Sequence, residues 1–438
     1  MLRFDDPELY ATEIRRLSAR AAGRARSEHS QIDFGLLHAR AAEVAPRLAR
    51  EVAAGSYTLE PCVPHAATLG GKARTLYRLD PLDAVVLSVV ARVVRSVVDP
   101  RLERCIYSYR RGASQWSAAS DFISFVREHV RSRPDPRTRG LYVLRRDVSA
   151  YGESIDVSVG SPFWTELVAL CEGPLSQELA KPESLLRRAF SPLVAHADGT
   201  TAPLSRGVPT GLPTQPIACN VYLRPLDREL ARIQGGFYGR YGDDLLFAHA
   251  DPEIVMQAVV ELEAGVARLG LRFGAQKSQD LYFTAIGRNP PEDGPFTRAS
   301  TVSYLGLDLG FDGARLRRDK RRSLLGDLTR RLDRACQQSQ HLSTAERADI
   351  LCGVVRRVMS PPEPLAHRYA SWLRPAVLTR SDLAQLDYLI ALRVAERLAN
   401  CRGVRAFRLM TPGELRSRHG LPSLVRAWDE ARRAGRHR

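Results

Sequence analysis

Three aspartates carry the chemistry that this sequence offers. Asp243 and Asp244 stand side by side in FYGRYGDDLLFAHA, a Tyr- and Gly-rich turn between two apolar runs. Asp147 closes another apolar run, in LYVLRRDVSAY. An aspartate pair in a turn is, taken alone, a common solvated turn. Two neighbouring strands ending on Asp147 and on Asp243-Asp244 would instead gather carboxylates at one sheet edge. Such groups are costly to bury unpaired, so a cation should join them. Magnesium, a hard ion, takes carboxylate and phosphate oxygens. Two such ions about 4 Å apart activate an attacking hydroxyl and stabilise a leaving pyrophosphate. The expected chemistry is phosphoryl transfer, with Asp147 and Asp243 as metal ligands and Asp244 as an outer ligand or electrostatic support.

The elements that must position these residues follow from periodicity and punctuation. LLHARAAEVAPRLAREVAAGSY is a basic helical run stopped by Gly55, and GGKARTLYRL has the glycines and alternation of a hairpin. A helix follows from Asp83 to about Val98, and the Pro- and Arg-rich stretch Arg131–Gly140 is a boundary. LYVLRRD reads as a buried strand and SPFWTELVALCEG as a helix. Asp251-Pro252 opens another helix, with Val255, Val259, Leu262, Val266 and Leu269 on one face and Gly270 at its end. TVSYLGLDLGFDGARLR is expected to be a hairpin turning at Asp312-Gly313. From Arg318 the pattern is helical, with Leu324, Leu325, Leu328 and Leu332 as a stripe. SPPEP at Ser360 interrupts it, SDLAQLDYLIALRVAERL resumes it, and the basic tail ARRAGRHR is expected to be loose.

Composition narrows the function classes. The chain has 438 residues, enough for two or three domains, with an ordinary globular share of apolar (44%) and charged (26%) residues. It carries 65 Lys and Arg against 49 Asp and Glu, a formal charge of +16. That excess points to a polyanionic partner, nucleic acid before a membrane surface, against the plainer reading of a generically basic protein. The seven cysteines have no zinc-site or redox spacing and fit free thiols in a reducing cytoplasm. No signal-peptide pattern opens the chain. The most apolar stretch, AVVLSVVARVVRSVV, is broken by Arg92 and Arg95, so it reads as a buried helix rather than a membrane span.

Taken in order, the motifs resemble those of the reverse transcriptases, and most of all the bacterial and organellar branch of group II intron, retron and diversity-generating enzymes. The resemblance runs from about Leu36 to Gly310. GKARTLYRLDPLDAVVLSVV is similar to the fingers segment that holds the incoming triphosphate, with Lys72 beside the matching Arg74. YSYRRGAS is similar to the next fingers motif, and LYVLRRDVSAYGESID to the first catalytic motif. RGVPTGLPTQPIACNVYLRPLD resembles the palm loop and helix from Gly207 through Thr210 and Gly211 to Asn220. YGDD resembles the second catalytic motif. GLRFGAQKS places Lys277 on the family's palm lysine, a general acid for pyrophosphate, and YLGLDLG resembles the hairpin that grips the primer.

The resemblance implies an α+β right-hand polymerase: fingers, a palm with an antiparallel sheet, and a helical thumb with a helical C-terminal extension. It divides the chain into N-terminal helices and fingers (1–140), palm with part of the fingers (141–315), and thumb with extension (316–438). It implies Mg²⁺ or Mn²⁺ held at Asp147, Val148, Asp243 and Asp244, an RNA template (expected to be a cognate non-coding RNA), dNTPs and a DNA product. A homo- or hetero-oligomer is a further expectation, and a membrane is not. Absence of endonuclease and zinc-finger motifs favours a stand-alone enzyme, with antiviral defence as one role.

Two departures fall in the nucleotide pocket. Gly152 stands where the family carries the Phe or Tyr that blocks a 2′-hydroxyl, with Tyr151 just before it, and Thr210 replaces a Gln that touches the nucleotide. Relaxed sugar selection and loose template reading are therefore expected unless neighbours compensate, for instance by Tyr151 swinging in. Arg330, Arg331 and Arg334 lie on the thumb-like helix as phosphate contacts or as a solvated face. Alternatives are a template-independent or protein-primed polymerase and a non-catalytic, RNA-binding, maturase-like scaffold. An RNA-dependent RNA polymerase usually needs an aspartate where Gly152 stands.

Overall fold

The computed structural model describes residues 2–22, 28–69, 72–172, 182–286, 294–359 and 377–436. The chain forms two compact units, and sequence order is not unit order. One unit holds residues 1–112 and 144–279, the other 113–143 and 280–438.

In the first unit, the helix Pro7–Ala22 packs against both Ala41–Ala53 and Pro81–Arg101. The last begins where Asp80 accepts a hydrogen bond from the Leu82 amide at 2.8 Å, with Pro81 in the first turn. Its valines are buried on nearly all sides. Arg92 pairs with Glu13 at 3.4 Å and Arg95 with Asp99 at 3.3 Å, so the two breaks in the apolar run are satisfied at the helix flank. No helix among the described residues is long and apolar enough to cross a membrane.

Strands β1 (Val63–Leu69) and β2 (Lys72–Arg78) form the expected hairpin, from Val63 opposite Arg78 to Leu69 opposite Lys72. β3 (Leu141–Asp147) is the buried strand read from the sequence. β4 (Leu193–Ala195) and β5 (Thr201–Pro203) make a small antiparallel pair. β6 (Phe237–Tyr241) and β7 (Asp244–His249) are antiparallel, and β3 is the other neighbour of β7. The helix Pro252–Arg268 starts at the Asp251 cap, buries Val255, Leu262 and Val266, and is followed by Gly270 at φ +66°.

The second unit contains the helix Gln115–Arg131, the parallel pair β8 (Gln279–Phe283) and β9 (Thr297–Ala299), and a meander. Gly140 is required there: a Cβ would lie 2.1 Å from the Tyr282 hydroxyl. The expected hairpin at TVSYLGLDLGFDGARLR is instead three strands, β10 (Val302–Tyr304), β11 (Leu307–Gly310) and β12 (Gly313–Leu316). Its first turn places Leu305 and Gly306 at φ +53° and +80°. A leucine in left-handed backbone gives no turn signal, which is why that turn is not legible.

Helices Arg318–Gln338, Thr344–Met359, Arg380–Ala399 and Leu424–Arg436 complete the unit. Leu328 and Leu332 are fully buried, while Leu324 and Leu325 are half-buried. The interruption read at Ser360 lies outside the described residues. The tail expected to be loose continues the final helix to Arg436. All seven cysteines are free, and five of them are buried.

Candidate active site

β3 ends on Asp147 beside β7, which begins on Asp244. Tyr241 pairs with Asp244, leaving Gly242-Asp243 as a two-residue loop. Gly242 has φ +66°, the conformation that a type II′ hairpin demands at its first central position. The Val148 amide donates to the Asp243 carbonyl at 2.9 Å, and the Gly274 amide donates to the Asp147 carbonyl at 2.8 Å. Backbone bonds therefore join the strand end, the carboxylate turn and the segment leading to Lys277. Asp147, Val148, Asp243, Asp244 and Lys277 are brought together at this edge.

Each carboxylate has a different environment. Asp147 is buried, and Lys277 Nζ donates to both its oxygens at 2.7 Å. Asp244 is also buried, and Arg145 holds it through Nε at 3.0 Å and Nη2 at 2.9 Å. Burial raises the Asp244 pKa, and Arg145 works against that rise. Asp243 reaches water at the tip of the turn. The protein packed around it still desolvates it and raises its pKa, and the Asp147 charge adds to the rise. Lys277 and Arg74 pull it back, so Arg74 on β2 is within electrostatic reach of the turn.

The Gly152 side of this edge is built from a loop and a short helix. Leu76 on β2 bridges to Thr210, which ties the hairpin bearing Lys72 and Arg74 to the loop 207–212. The Val208 amide donates to the Gly152 carbonyl at 2.8 Å, and the Gly207 amide to the Ile155 carbonyl at 2.7 Å. Gly211 is exposed, at φ +103°. Tyr151 departs from expectation. Its ring is buried, and its hydroxyl donates to the Cys219 carbonyl at 2.6 Å, so it faces the core and does not wall the pocket.

Two arginines that the sequence reading passed over organise the site. Arg145 is one. The other is Arg240, which is fully buried with Asp227 and bonds it through Nε at 2.8 Å and Nη2 at 2.6 Å. Arg240 also donates to the carbonyls of Gly242 (3.1 Å), Cys219 (3.2 Å) and Asn220 (3.0 Å). Asn220 in turn exchanges hydrogen bonds with Ser108 at 2.8 and 2.9 Å. An arginine inside an apolar strand was the available signal, because a buried charge requires a partner.

Among the described residues, no three His, Cys, Asp or Glu side chains are gathered closely enough to cage an ion. An open magnesium site does not require that, since it uses one or two carboxylates and substrate phosphates. Asp147 and Asp243, mutually repelling and backed by Lys277, suit such a site.

The fold is α+β, and it brings Asp147 and the Asp243-Asp244 turn together at the ends of neighbouring strands. Residues 176–309 match the family model described as "Reverse transcriptase (RNA-dependent DNA polymerase)". No curated protein matches the chain. Solved structures similar to it include apo telomerase from Candida tropicalis, at 10% identity and TM-score 0.46 over 84% of this chain and 69% of that one. Telomerase from Candida albicans, in complex with a TWJ fragment of telomeric RNA, matches at 13% identity and TM-score 0.43 over 86% and 67%. A C. tropicalis telomerase truncated of its C-terminal domain matches at 10% and 0.43; 59% of this chain spans 56% of that structure.

Proposed function

We propose that this chain is a divalent-metal-dependent, RNA-directed DNA polymerase of the bacterial type, copying a dedicated non-coding RNA into DNA. The observation that carries the reading is the convergence of Asp147, Asp243 and Lys277 at one sheet edge. Mg²⁺ or Mn²⁺, held by Asp147, Asp243 and the Val148 carbonyl, would activate the primer hydroxyl and stabilise the leaving pyrophosphate. Lys72 and Arg74 would take the triphosphate, and Lys277 would exchange Asp147 for the pyrophosphate and give it a proton. Thr210, Gly211 and Gly152 would border the nucleotide. With Tyr151 turned inward, Gly152 leaves the 2′ position without a ring, so sugar selection is relaxed. Residues 1–140 serve as fingers, 141–315 as palm and 316–438 as thumb and extension, with exposed Arg330, Arg331 and Arg334 facing phosphates. A cytoplasmic enzyme in antiviral defence, alone or as an oligomer, fits this reading.

The replacements at Gly152 and Thr210 favour one second reading, template-independent or protein-primed synthesis. One experiment tests both. Purified protein receives labelled deoxynucleotides, singly and together, with Mg²⁺, with or without prior ribonuclease, beside Asp243→Ala/Asp244→Ala. Aspartate-dependent product lost after ribonuclease supports copying of a co-purifying RNA. Product that survives ribonuclease supports the second reading. If product forms equally in the variant, the site assignment falls. If no product forms and the variant keeps the wild-type effect in cells, the chain is a scaffold.

A further inference from the structure

The space left by the missing ring at position 152 is not empty. An ideal Cβ on Gly152 would lie 3.3 Å from Gln215 Nε2, with no other neighbour within 4 Å. Gln215 opens the helix Gln215–Tyr222, and its Oε1 accepts from the Gly211 amide at 3.4 Å. A backbone amide can only donate, so the bond sets the orientation of the side-chain amide: oxygen to Gly211, nitrogen to Gly152.

The side chain springs from a firm base. Thr214 before it is fully buried and donates to the Ala189 carbonyl at 2.7 Å, and the Gln215 amide donates to the Leu212 carbonyl at 3.2 Å. The loop that Gln215 braces is itself bonded to Gly152 through Val208. The half-buried NH₂ group thus stands where an aromatic side chain would otherwise project.

Resting on the polymerase reading above, we propose that Gln215 is a specificity-determining residue: its Nε2 donates a hydrogen bond to the 2′-hydroxyl of an incoming ribonucleoside triphosphate. A ring at position 152 would reject that hydroxyl by contact. An amide donor accepts it, and a deoxyribose leaves the donor without that partner. The pocket is therefore polar at C2′, and ribonucleoside triphosphates are competent substrates.

The test is single-nucleotide extension of a DNA primer on an RNA template by the full chain, giving kcat/KM for matched ribo- and deoxynucleotides. Wild type should use the two sugars within about ten-fold of each other, as one hydrogen bond allows. Gln215→Leu should lower the ratio of ribonucleotide to deoxynucleotide use about ten-fold. Gly152→Ala, whose methyl crowds Nε2, should lower the same ratio, and it decides the matter should Gln215→Leu lose use of both sugars. Efficient deoxynucleotide use with an unmoved ratio in the deciding variant overturns the role of Gln215 alone. A wild type that extends with neither sugar overturns the polymerase reading and this inference with it.

Discussion

Arg145 and Asp244 face each other across neighbouring strands, joined by two parallel bonds of 3.0 and 2.9 Å. Arg145 lies two residues before Asp147 and so on the same face of β3. The strand that presents one carboxylate thereby anchors another. The pair is largely buried, at 14% and 12% side-chain exposure, so removing one partner strands a charge. Arg145→Met should cost on the order of 3 kcal/mol in denaturant unfolding. Adding Asp244→Asn should return more than about 1 kcal/mol of that loss. Strictly additive losses would mean that the two side chains are not coupled. Arg145→Lys should fall between wild type and Met, because an ammonium cannot make the two-point fork.

Gly242 sets the aim of Asp243. A Cβ there would meet nothing within 4 Å, so the cost of Gly242→Ala is conformational, from φ +66°. That cost is about 1 kcal/mol. Nucleotide incorporation should fall further than stability does, on the order of ten- to a hundred-fold, because a displacement of about 1 Å at a reacting group is enough. Thermal unfolding and primer extension on the same preparation check the two numbers together. A loss of activity no larger than the loss of folded protein would remove Gly242 from the positioning of Asp243.

How much of this was legible beforehand differs by element. LYVLRRD and FYGRYGDDLLFAHA announce buried strands, and Asp251-Pro252 announces a helix start, because each signal is local, whereas the helix read from Asp83 begins at Pro81. The convergence of Asp147 and the YGDD turn was an inference from strands ending on carboxylates, and the backbone bond from Val148 to Asp243 supplies its geometry. Tyr151 could not be aimed from sequence, since its hydroxyl partner is a carbonyl 68 residues away. Arg145, Arg240 and Gln215 were overlooked for the same reason. Their partners are tertiary, and an arginine in an apolar strand says only that some partner exists.

Asp83 provides a pH signature away from the carboxylate edge. It is buried, and its carboxylate accepts from the Tyr57 hydroxyl at 2.7 Å and the Glu60 amide at 3.0 Å. Burial pushes its pKa up to about 6, against 3.8 for the ordinary group. Between those values the folded chain binds more protons at Asp83 than the unfolded chain, so its contribution falls as pH rises. The contribution is fully present below about pH 4 and is lost through about pH 6, amounting to on the order of 3 kcal/mol. Asp83→Asn does not titrate. Its stability relative to wild type should therefore shift in its favour by roughly that amount from pH 4 to pH 7. A constant difference across that range would mean that Asp83 is not perturbed.

The Arg240–Asp227 pair separates holding the fold from aiming the turn. Both side chains are fully buried, and Tyr238 adds a 2.8 Å bond to Asp227. Asp227→Asn leaves the Arg240 charge uncompensated and should cost on the order of 3–5 kcal/mol. A double variant, Arg240→Met/Asp227→Leu, removes both charges and should recover most of that stability, as apolar replacements of buried ion pairs often do. It cannot restore the bond from Arg240 to the Gly242 carbonyl, which ties the carboxylate turn to the helix carrying Cys219 and Asn220. The double variant should therefore fold nearly as well as wild type and still polymerise poorly, by about ten-fold or more. Denaturant midpoints read against incorporation rates decide it. Activity that returns in step with stability would make the pair a purely structural one, and the turn would then owe its geometry to Gly242 and the β6–β7 register alone.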